Sequence, residues 1–136
     1  EFKSYETSLD VKDFDTSFVK GLSFEDGCAT LTKFTAYLIA DGLRKINKQN
    51  DANSYHCIFC GGGRKNKSLM QSIENYLVNK NIIINDIDNY NFDGNFIESQ
   101  AFAYLAIRSY LKLPISFPST TRSKKAISGG DILQNF

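Results

Sequence analysis

The chain has 136 residues, 42% of them hydrophobic and 23% charged, with a formal net charge of +1. That length suffices for one domain with a sizeable core, and the near-neutral balance argues against a dedicated nucleic-acid binder, which carries a strong basic excess. No apolar run is long enough to span a bilayer, no signal-peptide pattern opens the chain, and three cysteines do not suggest a secreted disulfide framework, so the expected home is a reducing cytoplasm without membrane contact.

Residues 1–21 alternate polar and aromatic types without a clean period. Val11, Phe14, Phe18 and Val19 read as a packed irregular arm holding either a short strand or a short helix around 13–18. Gly21 and Ser23 mark a break, and Ser23 with Asp26 three residues on reads as a helix-capping segment. The first strong helix is expected over 29–46, where Leu31, Phe34 and Leu38 recur at helical spacing. The small residues Ala29, Ala36, Ala40 and Gly42 permit close packing against a sheet or a second helix. A polar turn follows over 47–54.

Residues 55–60 are expected to form a buried strand, since five of the six are apolar or aromatic. Three glycines, Gly61, Gly62 and Gly63, end it. Asn66 then stands where it can cap a second helix over about 66–79, carried by Leu69, Ile73, Tyr76 and Leu77. Ile82, Ile83 and Ile84 read as a short buried strand, 86–95 as a long loop rich in turn formers, and 97–111 as a third helix whose three alanines indicate tight packing. Residues 113–136, with Pro114, Pro118, Gly129 and Gly130, read as a loop ending in one short edge strand. The order helix, strand, helix, strand, helix predicts an α/β fold with helices packed on a small, mostly parallel sheet. Two strands leave edges unpaired, which hints at further sheet elsewhere.

The glycine turn is the strongest chemical signal. A strand that stops in three glycines and resumes as a helix lets a ligand approach bare backbone N–H groups, a suitable place for a nucleotide. A dinucleotide fingerprint is incomplete, because Asn66 stands where its third glycine belongs, and the lysine and serine at 67 and 68 do not complete a P-loop. Cys57 and Cys60 show C-x-x-C spacing, but within a strand they point to opposite faces and are expected to be small core residues. His56 is expected at the strand entry or surface. Asp86, Asp88, Asp93 and Glu98 gather around the loop and the start of the third helix. A solvated loop accounts for most of them, whereas Glu98 precedes the small Ala101-Phe102-Ala103 segment and can face a cleft.

Three blocks carry a family resemblance: Asp26-Gly27-Cys28-Ala29-Thr30-Leu31, Cys60-Gly61-Gly62-Gly63-Arg64-Lys65-Asn66, and Glu98-Ser99-Gln100-Ala101-Phe102-Ala103. In this order, with Leu113-Pro114, Pro118-Ser119-Thr120-Thr121 and Gly129-Gly130 after them, they resemble the C-terminal part of anhydro-N-acetylmuramic acid kinase. The resemblance implies a ribonuclease-H-like lobe of the actin, sugar-kinase and Hsp70 superfamily, here incomplete. Residues 1–136 would form a single domain, the C-terminal lobe of a two-lobe kinase whose N-terminal lobe is absent.

The implied reaction opens the 1,6-anhydro ring of a cell-wall amino sugar with water and phosphorylates the 6-oxygen from ATP, giving N-acetylmuramic acid 6-phosphate. The implied cofactors are ATP and Mg²⁺, the metal held mainly by the other lobe. The resemblance assigns Gly61, Gly62, Gly63 and Asn66 to the nucleotide site and Glu98 to catalysis at the sugar cleft. It further implies a homodimer for the complete enzyme. Ser99 and Arg122 depart from it, standing where alanine and glycine are usual. A lobe of another kinase or ATPase of that superfamily, or a non-catalytic interaction module, are the alternative readings.

Overall fold

The computed structural model describes residues 11–49, 54–78 and 80–133. About half of the expected N-terminal arm (1–10) and half of the expected turn (50–53) lie outside the described residues. Those described fall into two compact units: residues through Cys57 together with Lys65–Ile84, and Ile58–Arg64 together with the chain from Asn85 onward.

In the first unit the arm forms two single 3₁₀ turns, Val11–Asp13 and Ser17–Val19, and no strand among its described residues. Phe18 meets Phe34 edge-on, with ring centroids 5.1 Å apart. Helix α1 runs Phe24–Gln49, beginning five residues before the expected start. Ser23 explains the difference: its Oγ accepts the Asp26 N–H at 3.1 Å and donates to the Asp26 carboxylate at 2.9 Å, so the helix starts at once and takes Gly27 into its first turn. At the other end the residues expected to open a polar turn continue the helix to Gln49.

Strand β1 spans Tyr55–Phe59, and helix α2 spans Lys67–Leu77. The small residues of α1 meet the second helix, not a sheet. Tyr37 packs edge-on against Tyr76 of α2 at 5.9 Å, and Ala36, Ala40, Ile73 and Leu77 are buried. These four are the buried apolar side chains among the described residues, so the core of this unit is the α1–α2 seam. Asn81 turns the chain with φ of 54°, a conformation asparagine tolerates, and its carbonyl accepts the Tyr55 N–H at 2.9 Å.

Strand β2 spans Ile82–Asp86 and pairs with β1 in a two-stranded parallel sheet. It runs two residues past the isoleucines. Asp86 ends it because its own side chain accepts the Asp88 N–H at 3.0 Å, turning the chain into a 3₁₀ segment, Ile87–Tyr90. In the second unit, helix α3 covers Ile97–Tyr110 and buries none of its residues. Phe102, Ile107 and Tyr110 are 65%, 59% and 69% exposed.

Arg108 fixes the segment after α3, donating from Nε to the Pro114 carbonyl at 2.7 Å while its guanidinium lies over the rings of Tyr104 and Phe117. A single-turn helix, α4 (Pro118–Thr121), starts on the proline, whose missing N–H is no loss at that position. Arg122, where the resemblance places glycine, closes it with φ of 56°. The edge strand expected near the end is reduced to one antiparallel bridge between Ser116 and Ile127. Ser109 Oγ ties α3 to the Gly129 carbonyl. The architecture is therefore α/β, with two parallel strands and four α-helices among the described residues. No helix among those residues is long and apolar enough to cross a membrane.

Candidate functional site

After β1 the chain turns at Gly61, whose φ of 79° lies where only glycine sits without strain. Its N–H donates to the Gly94 carbonyl at 3.1 Å. The next residues do not enter α2 directly, as the sequence suggested, but coil into a 3₁₀ turn, Gly62–Lys65. Gly62 and Gly63 are exposed, and a Cβ built on Gly62 meets nothing within 4 Å. Open space over bare backbone is what a close-approaching ligand needs.

Arg64, inside that turn, is the best-buried charged residue among the described residues, with 3% of its side chain exposed. It folds back over the glycines. Nη1 donates to the Gly61 carbonyl at 2.9 Å and to Asn95 Oδ1 at 3.5 Å. Nε donates to Asp86 Oδ1 at 3.2 Å and Nη2 to Asp88 Oδ2 at 2.7 Å. The other oxygen of Asp88 accepts the Gly94 N–H at 2.7 Å.

Gly94 is itself buried, and a Cβ there would fall 2.6 Å from Arg64 Cζ. The glycine is thus required by the arginine it packs against. Above all the Asp88 hydrogen bond, with the Coulombic pull of both aspartates behind it, raises the Arg64 pKa, so the guanidinium stays charged. Four of the five guanidinium N–H groups donate to protein oxygens. Arg64 is built to hold the turn, not to grip phosphate.

The remaining predicted residues fall as follows. Asn66 belongs to the first unit and caps α2, its Oδ1 accepting the Leu69 N–H at 3.1 Å. Glu98 lies exposed in the first turn of α3. That helix is entered through Asn95, whose backbone N–H and side-chain amide both donate to Asp93 Oδ1, at 2.9 and 2.7 Å. Gly61 and the approach to Glu98 are therefore joined in one hydrogen-bonded cluster through Arg64 and Asn95.

Cys57 is half-buried and Cys60 exposed, so the expectation of two core cysteines fails for Cys60, which lies past the end of β1. His56 is exposed on β1. Among the described residues no group of three His, Cys, Asp or Glu is placed to hold a metal ion. Sequence reasoning missed Arg64 as the partner of Asp86 and Asp88, which read as solvated loop acids. The usable signal was an arginine directly after the glycines and two aspartates two apart in a loop that lacks any cation of its own.

Two parallel strands with the helices around them define an α/β protein. Comparison with known proteins makes this specific. The sequence model of the anhydro-N-acetylmuramic acid kinase family matches residues 8–135, and the chain belongs to that family. It is 55% identical over 129 residues to the anhydro-N-acetylmuramic acid kinase of Pelagibacter ubique (strain HTCC1062), covering 95% of this chain and 34% of that relative. It is 38% identical over 125 residues to the enzyme of the same name from Zymomonas mobilis subsp. mobilis, covering 92% of this chain and 32% of that protein. The relative from Caulobacter vibrioides is likewise 38% identical, over 126 residues, with 93% and 32% covered. The chain spans about a third of the length of the curated relatives it matches.

Proposed function

We propose that this chain is the nucleotide-binding C-terminal lobe of an ATP-dependent kinase that opens 1,6-anhydro-N-acetylmuramic acid with water and phosphorylates its 6-oxygen. The product is N-acetylmuramic acid 6-phosphate, an intermediate of cell-wall recycling in the cytoplasm. The observation that carries this reading is the glycine turn Gly61–Gly63: positive φ at Gly61, open space at Gly62, and a buried arginine bonded to the Gly61 carbonyl. It stands in a chain whose relatives are named as kinases of this sugar.

In this reading both compact units belong to one ribonuclease-H-like lobe. Gly61, Gly62 and Gly63 contribute a wall of the ATP cleft, and Asn66, which caps α2, also serves the nucleotide. Glu98 acts at the sugar as a carboxylate that orients or activates the reacting groups. The rest of the protein supplies the phosphate loop, the main base and the Mg²⁺ site, and the complete enzyme is a homodimer. Helix α3 supports this reading: Phe102, Tyr104, Ile107 and Tyr110 are each more than half exposed, an apolar surface that further protein would cover.

The test uses the complete protein with ATP, Mg²⁺ and the anhydro sugar, following ADP release and the mass of the sugar product. Ring opening coupled to phosphorylation is expected, with Glu98→Gln lowering kcat by about a hundredfold. The 136-residue chain alone is expected to give no turnover. Phosphorylation of glycerol or plain hexoses in preference to the anhydro sugar would overturn the substrate assignment.

A further inference from the structure

Arg64 touches two segments that the proposed function assigns to different substrates. Through Nη1 it holds the carbonyl of Gly61, the hinge of the glycine turn, at 2.9 Å. Through the same nitrogen it reaches Asn95 Oδ1 at 3.5 Å, and Asn95 lies three residues before Glu98. Asp86 and Asp88 fix the guanidinium from the other side, at 3.2 and 2.7 Å. Asp88 also takes the Gly94 N–H, and the Gly94 carbonyl takes the Gly61 N–H, closing a ring of hydrogen bonds through Arg64, Asp88, Gly94 and Gly61.

We infer that Arg64 is a positioning residue shared by the two halves of the site, setting the glycine turn and the Glu98 end of α3 in one fixed arrangement. The inference rests on the function proposed above for what each segment binds. The chemistry supports a shared role over two local ones. A guanidinium is a rigid planar fork, so a shift at either segment rotates the plane and strains the bonds at the other. The space beside it is filled: Gly94 has no room for a side chain while Arg64 is in place. A lysine keeps the charge but carries one compact donor group, so it cannot hold Gly61, Asn95 and both aspartates in one plane.

The experiment compares the complete protein with its Arg64→Lys and Arg64→Met variants, first by amide hydrogen exchange and then by kinetics. In both variants exchange is expected to quicken together at 61–64 and at 95–100, while 67–77 and 24–49 keep the wild-type pattern. The KM values for ATP and for the anhydro sugar are expected to rise together by about tenfold or more, because Arg64 holds both segments to which the proposed function assigns substrate contacts. A purely structural role predicts less active protein with both KM values unchanged, and that result overturns the inference. So does quickened exchange, or a raised KM, at only one of the two segments. If Arg64→Met exchanges everywhere, the lysine variant and Asp88→Asn carry the test, with the same expected pattern. Should the wild-type protein act on neither ATP nor the sugar, the proposed function fails, while the exchange data still decide the role of Arg64.

Discussion

Arg64 and Asp88 meet at 2.7 Å, and the two are unequally placed: the arginine side chain is 3% exposed and the aspartate 49%. The asymmetry predicts how the pair fails. Asp88→Ala strands a buried guanidinium with only part of its compensation, whereas Arg64→Met leaves behind a carboxylate that water can reach. Adding Arg64→Met to Asp88→Ala should therefore recover part of the stability lost, although each change alone destabilises. A double-mutant cycle in thermal unfolding checks this, and simple addition of the two losses would show that the pair does not act as a unit.

Gly94 and Gly27 predict opposite responses to the same change. A methyl group on Gly94 would sit 2.6 Å from both Arg64 Cζ and Ile87 Cγ2, and four hydrogen bonds prevent the arginine from moving away. Gly94→Ala is expected to destabilise by about 1–3 kcal/mol, in the range of overpacked sites. Gly27 lies inside α1 with nothing within 4 Å of a built Cβ. Gly27→Ala should stabilise by about 0.5–1 kcal/mol, because alanine loses less backbone entropy in a helix. Urea unfolding of the two variants against the parent measures both.

Most elements were legible because each rests on a local pattern. Ser23, Asn66 and the helical spacing of Leu31, Phe34 and Leu38 placed α1 and α2, and the isoleucines placed β2. The boundaries moved where a side chain bonded its own backbone: Ser23 pulled the start of α1 forward, and Asp86 carried β2 to the Asx turn that ends it. The expected edge strand failed because a single bridge between Ser116 and Ile127 does not propagate into a ladder. In the site, the glycine turn was legible from composition, but its fastening was not. The partners of Arg64 lie 22 and 24 residues away, and no periodicity links an arginine in a turn to aspartates at and just beyond the end of the next strand.

Asn66 allows a helix cap to be separated from a ligand contact. Its Oδ1 accepts the Leu69 N–H at 3.1 Å, a role aspartate fills equally well. Asn66→Ala should lower stability by about 1 kcal/mol. Asn66→Asp should keep wild-type stability while adding a negative charge at a residue the proposed function assigns to the nucleotide, and so weaken ATP binding by about five- to tenfold through repulsion of the phosphates. Melting temperature and nucleotide titration, measured on both variants, test the two effects separately. Unchanged ATP affinity in the aspartate variant would remove Asn66 from the nucleotide site and leave it a cap.

The cysteines give a prediction that depends on pH. Burial pushes the Cys57 thiol pKa up, while Cys28 and Cys60 are exposed. The thiolate is the reactive form, so iodoacetamide at mildly alkaline pH should label Cys28 and Cys60 first and Cys57 about several-fold more slowly, read by peptide mapping. The sign of the stability effect follows from the same shift. Above the ordinary thiol pKa the unfolded chain has released the Cys57 proton while the folded chain still holds it, so stability falls as pH rises through that range. Below it, both states are protonated and Cys57 contributes no slope. Cys57→Ser, which does not titrate there, should flatten the alkaline decline in melting temperature and leave neutral-pH behaviour alone; an identical decline in the variant would assign the effect to other groups.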